Sequence, residues 1–253
     1  MVTRITAIHQ KSRGIYGSPR IYKALREQGV RIGKKRVERL MRLHDIRGRV
    51  VEVTRRQPGL KRFKASGENL RLNQPAATAI NQVWVADVTY IEVNKRWLYL
   101  AVIMDIYSRR ILGWSLSKTR TTALTLTALD YAMKRRNGIG PEIFHTDRGI
   151  EYTAYRYQAA LKHHGIKSSL NRPGQCTDNA HMESFFHSLK GELIRGRQFE
   201  SEQSLRRALN SYINQFYNYQ RLHSGTGYHP PLYMRGWPHE LFVSDLSGEH
   251  QRG

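Results

Sequence analysis

The chain has 253 residues, 40% of them hydrophobic and 10% aromatic, a globular composition with room for two domains or one large domain and an appendage. Lys and Arg number 42 against 20 Asp and Glu, a net charge of +22, which points to nucleic acid as partner; a solvated basic surface and an anionic membrane are the alternatives. The single cysteine, Cys176, excludes an intramolecular disulfide and a multi-cysteine zinc site, and no apolar run approaches the roughly 20 residues of a spanning helix, so a cytoplasmic protein is expected.

The charge is uneven. Residues 1–75 hold 20 Lys and Arg against 5 Asp and Glu, and residues 76–253 hold 22 against 15. Within the basic third, SPRIYKALREQG predicts a helix with Ser18 as N-cap, Pro19 at the first helical position and Gly29 just past the end. GKKRVERLMRLHDI predicts a second, with Val37, Leu40, Met41 and His44 on one face and Lys34, Lys35, Arg36, Arg39 and Arg42 largely elsewhere. Residues 1–46 therefore read as a helix-turn-helix DNA-binding module, with those basic side chains on its recognition helix. A basic helical hairpin packed on the next domain is the alternative. Residues 47–80 lack periodicity and read as a basic linker.

From residue 81 the pattern changes. QVWVADVTYIEV, RWLYLAVIMDIYSR and RILGWSLS read as three consecutive strands, the first two joined at the turn signal Asn94-Lys95. TTALTLTALDYAMKRR has helical spacing, EIFHTD is a short strand, AYRYQAALKHHG a helix and IKSSL another strand. Two longer helices follow, DNAHMESFFHSLKGELI and SEQSLRRALNSYINQFYNYQ. The order predicts an α/β domain over residues 81–238, with a mixed sheet covered by helices, and a polar tail over 239–253.

Three acids stand out by position. Asp87 interrupts an apolar strand, and a lone buried carboxylate is costly unless Arg, backbone donors or a metal meets it. Asp147 closes EIFHTD, at a strand end where sites of α/β sheets form, although Asp-x-Gly is also ordinary turn chemistry. Glu183 lies on a helix with Asn179 and His187 one turn away and Lys190 two turns on. Singly, each has a structural reading: an ion pair, a turn cap, a solvated helical acid. Jointly, two strand carboxylates and one helix carboxylate can converge at one edge of the sheet. Asp130, Glu192 and Glu202 read as helix-surface charges, Asp178 as the cap of the Glu183 helix, and Trp84 and Tyr90 as core.

WVADVTYI, FHTDRGIEY and DNAHMESFFHSLKGEL resemble the three acidic motifs of DDE transposases from bacterial insertion sequences, the branch with a retroviral-integrase-like core. VIMDIYSRRILGWSLS and YNYQRLHSGTGYHPPLYM fit the same pattern, and the resemblance covers residues 12–235. It implies a ribonuclease-H-like core in which Asp87, Asp147 and Glu183 are catalytic and bind two Mg²⁺ or Mn²⁺ ions, Asp87 bridging them. It further implies that Lys190 lies near DNA, that Asp105 is not a metal ligand, and that Arg221 and His223 recur without an evident role, while Asn179, one turn from Glu183, either orients that acid or contacts DNA. The partners it implies are transposon-end and target DNA and further copies of the chain, with no small-molecule cofactor, and the chain would be the product of a second reading frame associated with the nucleoid. A DNA-binding regulator and a nuclease without strand transfer are the competing functions.

Overall fold

The computed structural model describes residues 1–49, 67–173 and 175–235. Residues 50–66 of the expected linker, and the polar tail, lie outside the described residues.

Three helices open the chain: α1 (Val2–Lys11), α2 (Ser18–Glu27) and α3 (Lys34–Leu43). α1 was not among the expected elements. Its Ile5 and Ile8 join Ile21, Ala24 and Leu25 of α2 and Val37 and Met41 of α3 in one buried cluster. At the start of α2, Gly17 rather than Ser18 is the cap, and no side chain bonds the free amides. Gly29 closes α2 with φ +75°, and the following Val30 N–H returns to the Leu25 carbonyl at 2.9 Å. On α3, Lys34, Lys35, Arg36 and Arg39 are exposed, as the amphipathic pattern requires. His44, expected on the apolar face, is exposed as well, because the helix ends at Leu43 and leaves it as the cap.

The sheet has five strands in the order β3-β2-β1-β4-β5: β1 (Val83–Val93), β2 (Arg96–Asp105), β3 (Ile111–Ser117), β4 (Ile143–Thr146) and β5 (Lys167–Leu170). β1, β2 and β3 form the expected antiparallel meander, while β4 and β5 run parallel to β1. The first hairpin turns on Asn94 and Lys95, both with positive φ (49° and 61°), the conformation whose twist matches the flanking strands.

Both faces of the sheet are covered. One carries Trp84, Ala86, Ala101 and Ile103 against α4 (Thr122–Arg135) and α6 (Tyr155–His163). The other carries Val85, Ile91, Leu100 and Val102 against α7 (Ala180–Leu189) and α8 (Glu202–Asn210). α5 (Ile150–Thr153) is a single turn after β4. Beyond their α-helical parts, α7 and α8 continue as π-helical turns over Lys190–Ile194 and Ser211–Tyr217. The amino-terminal helices belong to the second face: Ile5, Ile21 and Leu25 share its apolar cluster. Polar ties reinforce the contact, with the Tyr16 hydroxyl donating to the Gln220 carbonyl (3.0 Å) and accepting from the Leu222 N–H (2.8 Å).

Two acids depart from expectation. Glu192 is buried, because the π-turn carries it inward onto Arg221, with bonds of 2.5–3.1 Å, and the Tyr212 hydroxyl donates to it at 2.7 Å. Asp178 does not cap α7. It accepts from the Arg172 side chain and backbone and from Asn69, and the Arg172 bond holds its carboxyl at about 2. Asp130 and Glu202 do sit on the surface, each paired one turn along its helix with Lys134 and Arg206.

β3 and α4 approach so closely that Gly113 has no room for a side chain. A Cβ there would lie 2.1 Å from the Ala128 carbonyl oxygen and 2.8 Å from the Ala132 nitrogen, both backbone atoms. Gly113→Ala is expected to lower stability by about 1–3 kcal/mol or more, read as a lower urea midpoint with an unchanged m-value.

Candidate active site

The site grows from the register of two parallel strands. Val83, Trp84 and Val85 of β1 lie beside Ile143, Phe144 and His145 of β4. Continuing that register by two residues leads to Asp87 and to Asp147, just past the end of β4, close enough for the charge of one to act on the other. Asp87 Oδ1 accepts from the Val88 N–H at 2.8 Å. Burial and then the Asp147 charge push the Asp87 carboxyl well above the usual carboxylate range.

A turn with little space presents Asp147. The Gly149 N–H donates to Asp147 Oδ1 at 3.0 Å. A Cβ on Gly149 would sit 2.6 Å from Glu151 Oε1 and 2.9 Å from Asp147 Oδ1, so a larger residue there would push these two carboxylates aside. Glu151, on α5, is buried, and its Oε1 accepts from Arg120 Nε (2.8 Å) and Nη2 (2.5 Å). That same Nη2 is 3.9 Å from Asp147 Oδ2. Burial alone would weaken the Arg120 charge, but the hydrogen bond and charge of Glu151, then Asp147 and Asp87, outweigh it and hold the guanidinium more firmly protonated than usual. Neither Arg120 nor Glu151 was singled out from the sequence, where Glu151 reads as one more acid of a turn and Arg120 as the polar lead into α4.

α7 is fixed to β1 beside Asp87. Beyond Val85, β4 no longer pairs with β1, and there the Asn179 amide donates to the Ala86 carbonyl at 3.0 Å. Asn179 is buried and its amide is spent inside the fold, which fits the expectation that it orients the Glu183 helix better than that of a DNA contact. Further along, Lys190 Nζ lies 4.6 Å from the centre of the Tyr90 ring. Burial lowers its ammonium, and the Asp87 charge works against that. Glu183 lies between these two anchors and is exposed. Among the described residues no group of three His, Cys, Asp or Glu side chains is gathered closely enough to hold a metal ion. The structure thus brings Asp87 and Asp147 together and leaves Glu183 one helical turn from the Asn179 anchor. Trp84 is core, as expected, whereas Tyr90 is half-buried, stacked edge-on against Trp97. Asp105 is wholly buried and structural, accepting from the Asn81 and Ser108 N–H groups at 2.8 Å each.

Comparison with known proteins matches this architecture. Residues 77–176 and 164–231 match two models of an integrase core domain, and residues 2–54 match an HTH-like domain. The chain is 39% identical to the transposase InsF for insertion sequence IS3A of Escherichia coli (strain K12) over 227 residues, 88% of this chain and 77% of that relative. It is 37% identical to the transposase for insertion sequence element IS904 of Lactococcus lactis subsp. lactis (strain IL1403), covering 90% of each. The chain belongs to the IS3 family of transposases. In fold the transposase resembles a chain of the simian T-cell lymphotropic virus intasome in complex with PP2A regulatory subunit B56 gamma, with a TM-score of 0.55 and 17% identity over 92% of this chain and 74% of that one. The mixed sheet with flanking helices is thus the expected ribonuclease-H-like, integrase-type core, behind a helical module of helix-turn-helix type. No helix among the described residues is long and apolar enough to cross a membrane.

The crowding of the two aspartates carries a pH signature. Because the Asp87 carboxyl titrates higher in the folded chain than in the unfolded one, folding at neutral pH bears a cost that is absent below the unfolded carboxylate pKa and grows as pH rises through the folded value. In metal-free buffer, Asp87→Asn is expected to raise the Tm at pH 7.5 and to leave it unchanged near pH 3. A variant that melts below the wild type at pH 7.5 would contradict this.

Proposed function

We propose that the transposase cuts and joins DNA strands through Asp87, Asp147 and Glu183, using divalent magnesium or manganese held by their carboxylate oxygens. The observation that carries this reading is the Asp87–Asp147 pair: two carboxylates held side by side, one of them pushed towards its neutral form, are suited to a cation between them. Their donor set is hard oxygen, which favours magnesium and manganese over zinc. Glu183 is the third donor in this proposal, supported by its place about 6 Å along α7 from Asn179, which is bonded to the residue next to Asp87. Two such cations, when bound, supply charge stabilisation at the attacking and leaving oxygens and a more acidic bound water.

The rest falls to the chain itself. Arg120, anchored by Glu151, restrains Asp147 from one side, and Asn179 fixes the start of the Glu183 helix on the other. Lys190, braced on Tyr90, is positioned to hold a DNA phosphate near the aspartates. Lys34, Lys35, Arg36 and Arg39 form the exposed basic face of α3 and are assigned to DNA-end binding, in keeping with the net charge of +22. In the first step water attacks phosphorus and the 3′-oxygen leaves. In the second, that freed 3′-hydroxyl attacks a target phosphodiester, its proton is lost, and the target strand's 3′-oxygen leaves. Neither step requires a covalent bond to the protein. Paired ends are served by further copies of the chain, so a homo-oligomer on DNA is the proposed working form.

Asp147→Asn tests the assignment. Magnesium-dependent nicking of a duplex bearing the element's end is expected to fall by more than the roughly 10–100-fold that loss of an outer hydrogen-bond partner costs, while a gel shift of the same duplex in chelator stays unchanged. Nicking at the wild-type rate would remove Asp147 from the site.

A further inference from the structure

A polar cavity of about 200 Å³ lies where the amino-terminal module meets α7 and the chain segment after α8. Three guanidinium groups and two imidazoles line it: Arg20 from α2, Arg109 from the β2–β3 turn, Arg221 and His223 from the late segment, and His181 from α7. No carboxylate lines it among the described residues. Glu192 stands behind Arg221 and takes up its Nε and Nη2. Arg20 spends Nε on the Leu222 carbonyl at 2.9 Å, and Arg109 spends Nη1 on His181 Nδ1. The remaining edge of Arg109 faces the mouth at Gly225, where a Cβ would lie 3.5 Å from Nη2.

Hydrogen-bond logic fixes what this cavity offers. A guanidinium nitrogen can only donate. Arg221 Nη1 therefore donates to His223 Nδ1 at 3.2 Å, so the neutral His223 ring carries its hydrogen on Nε2. That Nε2 is buried with no acceptor at ordinary hydrogen-bond distance, and the Tyr217 backbone is the acceptor that still acts on the ring. The same logic at Arg109 makes His181 Nδ1 an acceptor and its Nε2 a donor. The cavity thus presents donors and positive charge, while the side-chain acceptors at its wall are neutral hydroxyls, one of which, Ser188 Oγ, already accepts from Arg221 Nη2 at 3.1 Å. It is also smaller than the roughly 300–1,000 Å³ of a drug-sized site. A compact anion whose oxygens only accept matches it in charge, size and bonding.

We propose that this cavity binds a backbone phosphate of duplex DNA, held between the helix-turn-helix module and the helix that carries Glu183. A phosphodiester presents oxygens as acceptors only, and Arg20 ties the contact to the module that faces DNA. Such a phosphate would set the DNA in register against both parts of the chain at once. This goes beyond the three-carboxylate reading, since it requires neither the carboxylates nor a metal.

Duplex affinity measured by fluorescence anisotropy between 50 and 200 mM salt, in chelator with the full chain, tests it. Arg109→Gln is expected to weaken binding and to reduce the salt slope by about 0.9, one phosphate contact, so that the wild-type advantage shrinks about 3.5-fold across that range. Ser224→Asp, which places a carboxylate at the exposed mouth without touching the buried groups, is expected to do the same and stands in should Arg109→Gln not fold. Unchanged affinity and slope in a folded variant would overturn the proposal. So would millimolar inorganic phosphate raising the Tm of the wild type but not of Arg109→Gln while duplex binding stays equal, since the cavity would then take free phosphate only. Because no cleavage is read, failure here leaves the carboxylate assignment standing, and loss of the latter leaves this one testable.

Discussion

Two like charges forced side by side by a parallel strand pair are the constraint around which this molecule is arranged. β1 and β4 run in register up to Val85 and His145, and the next residues of each chain path lead to Asp87 and Asp147. A carboxylate so placed resists ionisation, and the surroundings are built to tolerate it without removing it. Arg120 approaches Asp147 but is claimed by Glu151, so it restrains the pair without closing on it as a full salt bridge. Gly149 is the space that lets this crowd exist.

The same economy places α7. Where β4 stops, β1 would expose an acceptor, and the Asn179 amide satisfies it. A backbone requirement of the sheet thereby fixes the helix on which Glu183 and Lys190 ride. The π-turn that follows swings Glu192 inward to meet Arg221. A buried ion pair of this kind gains little net stability over an apolar pair, but it is expensive to break from one side. It binds α7 to the late segment that Tyr16 and Arg20 of the amino-terminal module grip. The helical module thus shares a core with the catalytic domain, and the cationic cavity lies at that seam.

The elements best read in advance were those with a strong local period. The meander, its Asn94-Lys95 turn and helices α2, α3 and α4 follow from alternation, turn chemistry and capping within a few residues. α1 was missed because VTRITAIHQK carries only two apolar side chains that become buried, Ile5 and Ile8, and these find partners only when α2 and α3 are present. Asp87 and Asp147 were legible because an acid inside an apolar strand, or at its end, breaks a pattern. Glu151 and Arg120 break none, and their pairing spans a helix and a strand, a separation that no spacing rule reaches.

What the sequence determined by itself is chemistry and direction: a basic chain suited to DNA, a mixed sheet, and three acids carried on known elements. Short-range periodicity encodes those features, and residues a few positions apart suffice to set them. Which side chains meet was decided by tertiary structure alone. Register brings Asp147 to Asp87, a π-turn turns Glu192 from surface charge to buried anchor, and docking of α2 gathers Arg20, Arg109 and Arg221 from three distant segments. Such meetings depend on burial and like-charge crowding, which arise only once remote parts of the chain share one low-dielectric space.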